Sequence, residues 1–375
     1  MPETRPDVLA RRIAGFGLPG TMQPVPFVVS DHDWRSLIEW VYGERITGLA
    51  VAAVEAGMLK LSEEQNVDLI TGHRAAMAWA LMVERTVLSV AEDLDAAGVP
   101  FVLLKGASLA RTVYPDPEWR AFGDLDLLVR APDWRSACAV FQRRGLAREL
   151  PEPRRGFDER FGKAAVFEGA DRIQIDLHQR LVLGPFGLWM DPDELFQHTA
   201  QVVIGGRSVP RLQDTELLLH VCMHASLGSN PPKLQPLRDI LQVATTGNVD
   251  WQRFEELARR WNLRAVVRHA FLAAGETLDS TIPEPAEAIV AYRPTLKEQR
   301  LLEAYTTERR GRGGMAISTL AAIPTVGAKA SYLRALLLPE REFLTARSGR
   351  GRLLGSRIRR LKVPAQWVKT GSRSR

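Results

Sequence analysis

Apolar residues recur at three-to-four spacing through the first quarter of the chain, which is the spacing of an amphipathic helix. The pattern runs over residues 31–98, and Leu61-Ser62-Glu63-Glu64 has the composition of a helix start. It stops at Gly98-Val99-Pro100, because glycine and proline end helices. We therefore predict a helical N-terminal region over residues 1–98.

The hydrophobic pattern becomes strand-like after residue 98. The segments PFVLLKG, GDLDLLV, GKAAVFEG and RIQIDLHQRL predict strands, and QVVIGGRSVPRL predicts a hairpin that turns at Gly205-Gly206. ASLARTVY and DWRSACAVFQRR, which separate the first three strands, predict short helices. Short strands and helices mixed over residues 99–212 indicate one α/β or α+β core.

Helical spacing returns at Thr215 and continues through TELLLHVCMHASL, LQPLRDILQVATTG, DWQRFEELARRWN and RAVVRHAFLAAGETL. ASYLRALLLPEREFL predicts one further helix. These segments indicate a C-terminal helical lobe over residues 213–340. A Gly-, Ser- and Arg-rich tail, which we expect to be flexible, follows over residues 341–375.

Composition places the chain among ordinary globular proteins, since 45% of its 375 residues are hydrophobic and 25% are charged. The two cysteines, Cys138 and Cys222, are too few for a disulfide framework. The N-terminus lacks an apolar run of signal-peptide length, and no stretch is long and apolar enough to predict a transmembrane segment. We expect a cytoplasmic protein.

The positive charge is concentrated at the C-terminus. The formal net charge is +6, and residues 341–375 contain eleven Lys and Arg against one Glu, a local charge of +10 that leaves −4 for the rest. Such a tail could contact RNA, an acidic peptide or an anionic membrane surface, and it could equally be a solvated extension. Its charge therefore does not by itself indicate a nucleic-acid enzyme.

Two carboxylates stand two residues apart in the apolar segment GDLDLLV. Side chains at such spacing share one face of a strand, so Asp124 and Asp126 project together while Leu125 and Leu127 face the core. Asp176 lies on the polar face of RIQIDLH in the same way. Three such acids could hold divalent metal ions for attack on a phosphorus atom. The alternative is a strand-capping Asp124, a solvated Asp126 and an unrelated Asp176.

The residues LLKGASLARTVYPDPEWRAFGDLDLLV together with IQIDLH resemble the uncharacterised nucleotidyltransferase family of the DNA polymerase β-like superfamily. The resemblance covers roughly residues 60–260. It implies an α+β fold, with a small mixed β-sheet core flanked by N-terminal and C-terminal helical lobes. It also implies that Asp124, Asp126 and Asp176 are both catalytic residues and ligands of Mg²⁺ or Mn²⁺.

The same resemblance assigns the phosphate side of a nucleotide site to the Lys-Gly turn. Lys105, Gly106 and Ser108 would hold the triphosphate of an NTP, ATP in the first instance, and Arg120 would donate to the same phosphates. The sequence departs from the superfamily pattern at Ala107, where a serine usually follows the glycine. This departure leaves a hydroxyl contact to phosphate in doubt.

The resemblance implies transfer of an NMP to an acceptor with release of pyrophosphate. The acceptor could be a small molecule, a peptide or protein, or an RNA end. His178 and Tyr114 could contact substrate or support the site, and packing is the alternative for both. Two other functions stay open: phosphoryl transfer, as in peptide natural-product modification, and a catalytically degenerate binding or scaffold module.

A second cluster of candidate ligands lies in LLLHVCMHASL, where His220 and His224 are four residues apart. Histidines at this spacing can bind zinc, but the HExxH glutamate is replaced by Val221. The apolar surroundings favour a packed core helix. We expect Asp239, in the apolar segment LRDIL, to pair with a neighbouring arginine in a structural role.

Overall fold

The computed structural model describes residues 5–20, 27–306 and 312–347. It shows an α+β fold in which one mixed sheet is covered by helices on both faces. This is the fold class that the sequence predicts.

The chain before the sheet is helical, as predicted. Its helices are α1 (Pro6–Gly15), α2 (Asp31–Gly43), α3 (Thr47–Glu55) and α4 (Glu63–Ala96), and the two short strands β1 (Phe27–Val28) and β2 (Leu59–Lys60) pair in parallel. The long helix α4 begins with a capping box: Ser62 Oγ accepts from the Gln65 backbone N–H, and Gln65 Oε1 accepts from the Ser62 N–H. The predicted helix start at Ser62 is confirmed.

Seven strands of the described residues form the sheet: β3 (Phe101–Leu103), β4 (Asp124–Val129), β5 (Ala147–Arg148), β6 (Ala164–Glu168), β7 (Gln174–His178), β8 (Thr199–Ile204) and β9 (Arg207–Leu212). Their order across the sheet is β5-β6-β7-β4-β3-β9-β8. The centre is mixed, because β4 is antiparallel to β3 but parallel to β7, and β3 is parallel to β9. The predicted hairpin is the antiparallel pair β8-β9.

The remaining helices connect these strands or follow the sheet. Those between strands are α5 (Ala107–Thr112), α6 (Trp134–Arg143), α7 (Phe157–Phe161), α8 (Pro185–Trp189) and α9 (Pro192–Gln197). Those after the sheet are α10 (Asp214–Gly228), α11 (Leu234–Thr246), α12 (Trp251–Arg260), α13 (Arg264–Leu278), α14 (Glu287–Ala291), α15 (Leu296–Thr306), α16 (Arg312–Ala322) and α17 (Val326–Leu337).

Alternation along the central strands gives the sheet two different faces. Leu125 and Leu127 of β4 pack with apolar residues of α4 and α6 in one buried cluster. Leu128, the next residue of the opposite parity, belongs to a second cluster built with the helices before and after the sheet. The even-numbered positions of β4, including its two aspartates, therefore face the side of the sheet that is opposite α6.

Helices from both ends of the chain share the core on the face of the sheet that carries the two aspartates. Apolar residues of α1, α2 and α3 belong to the same buried cluster as those of α10, α11 and α13. Arg238 of α11 is fully buried, and its Nη1 donates to the carbonyls of Ala14 at 2.7 Å and Phe16 at 2.6 Å. These hydrogen bonds satisfy carbonyls at the end of α1 and fix that helix to α11.

The C-terminal segment differs from its prediction as a single helix. Helix α17 ends at Leu337, and residues 341–347 form a separate helical segment. The break lies at Pro339, since proline disfavours helical geometry in the residue before it. The tail from residue 348 onward, with its predicted acidic or nucleic-acid partner, lies outside the described residues.

Among the described residues, every helix is too short or too polar to cross a membrane.

Candidate active site

The predicted Lys-Gly turn lies directly beside the strand that carries the aspartates. Gly106 connects β3 to α5 with φ +67° and ψ −116°, a conformation that glycine adopts more readily than other residues because it has no Cβ. The Leu104 N–H donates to the Asp126 carbonyl, so the end of β3 is hydrogen-bonded to β4. The turn is therefore held at a fixed position next to Asp126.

Two of the three predicted acids come together in the sheet. The parallel register of β4 and β7 places Asp126 opposite Asp176 and Leu128 opposite His178. Ligand atoms of Asp126, Asp176 and His178 lie within 4.8 Å of one another, and Asp176 is the half-buried member of this cluster. The set of two carboxylate oxygens and one imidazole nitrogen is suited to a divalent cation.

Asp124 stands outside that cluster, at the mouth of the site. Its side chain is 31% exposed, compared with 2% for Asp126. The Asp124 carboxylate lies 3.8 Å from Lys105 Nζ and 3.7 Å from an Arg45 guanidinium nitrogen. The structure thus places Asp124 between the buried cluster and the solvent, surrounded by cations.

Lys105 is the counter-ion of the buried acid. Its ammonium group donates to Asp126 Oδ2, and its side chain is 12% exposed. Burial lowers the pKa of Lys105, but the charges of Asp126 and Asp124 outweigh that effect, and the net pKa is raised above its ordinary value. Lys105 is therefore fully protonated at neutral pH.

His178 contacts the other oxygen of the same carboxylate. Its Nε2 lies 3.0 Å from Asp126 Oδ1, and its Nδ1 lies 3.4 Å from the Arg180 carbonyl. With Lys105 on Oδ2 and His178 on Oδ1, the carboxylate of Asp126 has a fixed orientation. Burial raises the pKa of Asp126, but these two partners together hold it well below the ordinary range.

Asp176 has the opposite electrostatic environment. Burial, and then the negative charge of Asp126, raise the pKa of Asp176 above its ordinary value. The pKa values of these two carboxyl groups, which face each other in register, are therefore shifted in opposite directions. Asp126 is firmly ionised, and Asp176 is the stronger base.

Lys163 is a candidate that the sequence analysis did not single out. It precedes β6, and its carbonyl accepts from the backbone N–H groups of Gln179 and Arg180, just after β7. Burial lowers the pKa of Lys163, and the charges of Asp126 and Asp176 only partly offset this. No pattern in GKAAVFEG distinguishes this lysine from a surface lysine at a strand end.

An open cleft of about 340 Å³ lies over the turn and Asp124. Three parts of the chain form it: the segment after α2, the strand ends around the Lys-Gly turn, and the segment where α10 leads into α11. Cationic side chains outnumber acidic ones in its lining, as an anionic ligand requires. The cations are Arg45, Lys105, Arg120, Lys163 and Lys233, and the acids are Glu44, Asp124 and Asp239.

Two of the three acidic side chains in the lining already have hydrogen-bond partners in the protein. Glu44 Oε2 accepts from the Leu234 N–H at 2.6 Å, and Asp239 is paired with Arg120. Gln235 Nε2 donates to the carbonyls of Arg45, at 3.1 Å, and Ala121, at 2.8 Å. These contacts fix the segment after α2 against α11 across the cleft.

Arg120 supports the glycine turn through a hydrogen bond to its backbone. Its Nη1 donates to the Gly106 carbonyl at 3.1 Å, while Nε and Nη2 donate to the two oxygens of Asp239, each at 2.8 Å. The side chain is 5% exposed. Asp239 does form an ion pair with an arginine, but the partner is Arg120, 119 residues away in sequence, and not a neighbouring arginine. The role of Arg120 toward polyphosphate stays a prediction, because its three nitrogens already have protein acceptors.

Ser108 and Tyr114 do not line the cleft. Ser108 is completely buried and its Oγ has no hydrogen-bond partner among the residues that the structure describes, because the turn directs the first residues of α5 into the core. The Tyr114 hydroxyl donates to Asp239 Oδ1 at 2.7 Å, and burial together with Asp239 raises its pKa well above the ordinary value. The ring of Tyr114 is part of the buried core, which is the packing alternative for this residue.

The helix α10 is packed in the core, as predicted, but His224 reaches the wall of the cleft. The rings of His220 and His224 lie 6.4 Å apart, and neither belongs to a cluster of three metal-ligating side chains within the described ranges. Burial lowers the pKa of His224 to about 3 and that of His220 well below its ordinary value. Both imidazoles are therefore neutral.

Solved structures that resemble this chain include three nucleotidyltransferase-type proteins. The antigenic nucleotidyltransferase-like protein from Paracoccidioides brasiliensis is 13% identical, with 54% of this chain and 95% of that chain covered and a TM-score of 0.33. The antibiotic-resistance factor ANT(2'')-Ia is 16% identical, with 50% and 95% covered and a TM-score of 0.34. The lincomycin-bound lincosamide antibiotic adenylyltransferase LnuA is 13% identical, with 43% and 96% covered and a TM-score of 0.31.

No curated protein matches the chain in sequence. A family model does match: the uncharacterised nucleotidyltransferases, over residues 30–279. That range is more than half of the chain and contains the glycine turn, both strands of the acidic cluster and helices α10 and α11. The protein therefore belongs to the uncharacterised nucleotidyltransferase family.

Proposed function

We propose that the protein transfers a nucleoside monophosphate from an NTP, ATP in the first instance, to an acceptor group and releases pyrophosphate. The observation that carries this proposal is the in-register pair Asp126 and Asp176, beside the Lys105-Gly106 turn and under a cationic cleft. The acceptor is a small molecule, a peptide or protein, or an RNA end.

The cations of the cleft fit the triphosphate. Lys105, Lys163 and Lys233 line the cleft and each offers an ammonium group, and Arg45 adds a guanidinium beside Asp124. The positive φ of Arg45, 58°, is unusual for a residue with a Cβ and directs this side chain to the cleft edge. Charge-assisted hydrogen bonds from such groups would neutralise and position the phosphates.

A divalent metal fits the acidic cluster, since Asp126 and Asp176 offer carboxylate oxygens within a few ångströms of each other. We assign Asp124, Asp126 and Asp176 as the residues that would hold Mg²⁺ or Mn²⁺, with His178 orienting Asp126. When bound, such an ion polarises phosphate oxygens and offsets charge that develops during transfer.

Asp176 is the residue best suited to accept the proton of an acceptor hydroxyl. Its raised pKa makes it a stronger base than an ordinary carboxylate, and its half-buried side chain is accessible. Asp126, held ionised by Lys105 and His178, supplies a fixed negative charge. Environments that separate the pKa values of two neighbouring carboxyls commonly divide their roles in this way.

The proposal can be tested by following which phosphorus atom of ATP is transferred to the acceptor. The protein would be incubated with Mg²⁺ or Mn²⁺ and ATP labelled at either the α- or the γ-phosphorus, together with pooled small molecules, peptides or RNA. Label transferred from the α position, with pyrophosphate released, supports nucleotidyl transfer. Label transferred only from the γ position supports phosphoryl transfer and overturns the proposal.

A nucleotide-binding or scaffold module is the second candidate, and the glycine turn favours it. Ala107 follows Gly106, and the Ser108 hydroxyl is buried, so this turn presents no hydroxyl to the cleft. Calorimetric titration of ATP with and without Mg²⁺ separates the candidates. Metal-dependent ATP binding without transfer to any acceptor favours the module, whereas absence of ATP binding contradicts both functions.

A further inference from the structure

Lys105 lies between the cleft and the buried acid. It lines the cleft together with Asp124, whereas Asp126, Asp176 and His178 do not. Its ammonium group is hydrogen-bonded to Asp126 Oδ2 and lies 3.8 Å from Asp124 Oδ2. Lys105 is therefore a cleft-lining group in direct contact with Asp126.

The carboxylate of Asp126 has a partner on each oxygen. Lys105 occupies Oδ2, His178 occupies Oδ1, and the side chain is 2% exposed. A cation that approaches Asp126 from the cleft must replace Lys105, because two positive charges cannot occupy the same side of one carboxylate without strong repulsion. Displaced alone, Lys105 would be left as a partly buried charge whose remaining ion pair among the described residues is the 3.8 Å contact with Asp124, which is costly.

Nucleotide phosphates remove this cost. The cleft that Lys105 lines is the one that we assign to the triphosphate, and an ammonium released from Asp126 would find phosphate oxygens there as new partners. Binding of the nucleotide and loss of the Lys105–Asp126 ion pair would then favour each other.

We infer that Lys105 blocks direct metal binding to Asp126 in the nucleotide-free protein and that the nucleotide draws Lys105 away. Metal and nucleotide then bind with positive coupling, and the acidic cluster stays closed to metal until a nucleotide is present. This inference rests on the proposed function, because it takes the cleft to be the triphosphate site. Lys105 is a positioning residue in this account.

The test is the affinity of the nucleotide-free protein for Mn²⁺, measured from the free-ion signal in electron paramagnetic resonance. Lys105→Met removes the ammonium and keeps the side-chain volume. We expect this variant to bind Mn²⁺ about 10-fold or more tightly than the wild type, within the usual range of coupling between sites. The Mn²⁺ affinity of the variant should also respond less to a non-hydrolysable ATP analogue.

Lys163→Met is the matched control. Lys163 lines the same cleft and interacts electrostatically with Asp126 and Asp176, but no hydrogen bond joins it to either carboxylate among the described contacts. General electrostatics would raise the Mn²⁺ affinity of both variants equally, and that result would overturn the inference. An unchanged affinity in Lys105→Met would also overturn it.

Lys105→Gln provides a second variant if the methionine variant does not fold, because glutamine can still donate to Asp126 without a charge. Its expected Mn²⁺ affinity lies above that of the wild type, and a wild-type value would count against the inference. Failure of the proposed function looks different: the isotope assay gives no transfer, while the order of Mn²⁺ affinities among the variants is unaffected.

Discussion

Arg120 and Asp239 form a buried bidentate ion pair between the loop that precedes β4 and the helix α11. Both oxygens of Asp239 accept from the guanidinium at 2.8 Å, and the side chains are 5% and 2% exposed. The third nitrogen of Arg120 donates to the Gly106 carbonyl. One arginine therefore connects the C-terminal helices to the turn that we assign to phosphate.

Asp239→Asn should destabilise the fold strongly, because it leaves the buried guanidinium of Arg120 without its counter-charge. Removing one partner of a buried ion pair costs about 3–5 kcal/mol. Urea unfolding followed by circular dichroism measures the change. Asp93→Asn is the control, since its pair with Arg144 is partly exposed and such pairs contribute about 0–1 kcal/mol. Equal losses in both variants would contradict the assigned role.

Asp126→Asn should abolish transfer while leaving the fold intact. The amide keeps the shape of the side chain and one oxygen for Lys105 or His178, but it removes the charge on which the acidic cluster depends. We expect activity to fall by at least about 100-fold, beyond the effect usual for residues that only support a metal ligand. Initial rates and a near-ultraviolet spectrum of the variant check this, and unchanged turnover would refute the metal-site assignment.

The acidic cluster was predictable from sequence because strand alternation is a local rule. Asp124 and Asp126 share a face whenever their segment is a strand, and Asp176 follows the same rule in its own strand. The pairing of Asp126 with Asp176 depends on the parallel register of β4 and β7, which no local pattern determines. The same limit explains why Asp124 was grouped with the buried acids, although it lies at the mouth of the site.

Contacts between distant segments account for the residues that the sequence analysis missed. Arg45 and Lys233 reach the cleft only because the segment after α2 is hydrogen-bonded to α11. Lys163 reaches it through the backbone pairing of its carbonyl with the residues that follow β7. The burial of Ser108 likewise depends on how α5 packs, since a short helix has little amphipathic pattern of its own.

His178→Ala should weaken activity about 10- to 100-fold, the range found when a group that orients a metal ligand is removed. The histidine holds Asp126 Oδ1, and without it the carboxylate can rotate away from Lys105. His178→Gln should recover part of the loss, because its amide can donate to the same oxygen. Comparing Mn²⁺ affinity and turnover in both variants separates orientation from packing: a packing role alone predicts equal loss in the two.

Acid should remove the stabilisation that Asp126 provides. Burial is outweighed by Lys105 and His178, which hold the pKa of Asp126 in the folded protein well below its ordinary value, so its charge stabilises the fold at every pH above that ordinary value. Stability from this group is lost as the pH falls below about 4 toward the folded-state pKa, because the unfolded state then binds the proton first. The difference in unfolding free energy between wild type and Asp126→Asn in EDTA should therefore shrink as the pH falls from about 5 through about 4 and on toward the folded-state pKa. A constant difference would exclude this linkage.

Arg45→Ala should raise KM for the nucleotide without affecting stability. The guanidinium is 51% exposed and lies 3.7 Å from Asp124 at the cleft edge, so its loss creates no buried cavity. In our assignment Arg45 donates one charge-assisted hydrogen bond to a phosphate. Its loss corresponds to about 1.5 kcal/mol of binding free energy, or roughly a 10-fold rise in KM. Steady-state kinetics with varied ATP measures the change. Arg85→Ala is the matched control, because Arg85 is an exposed arginine of α4 that does not line the cleft. If both variants keep the wild-type KM, the N-terminal segment takes no part in nucleotide binding, and the triphosphate must be held by the sheet and the C-terminal helices alone.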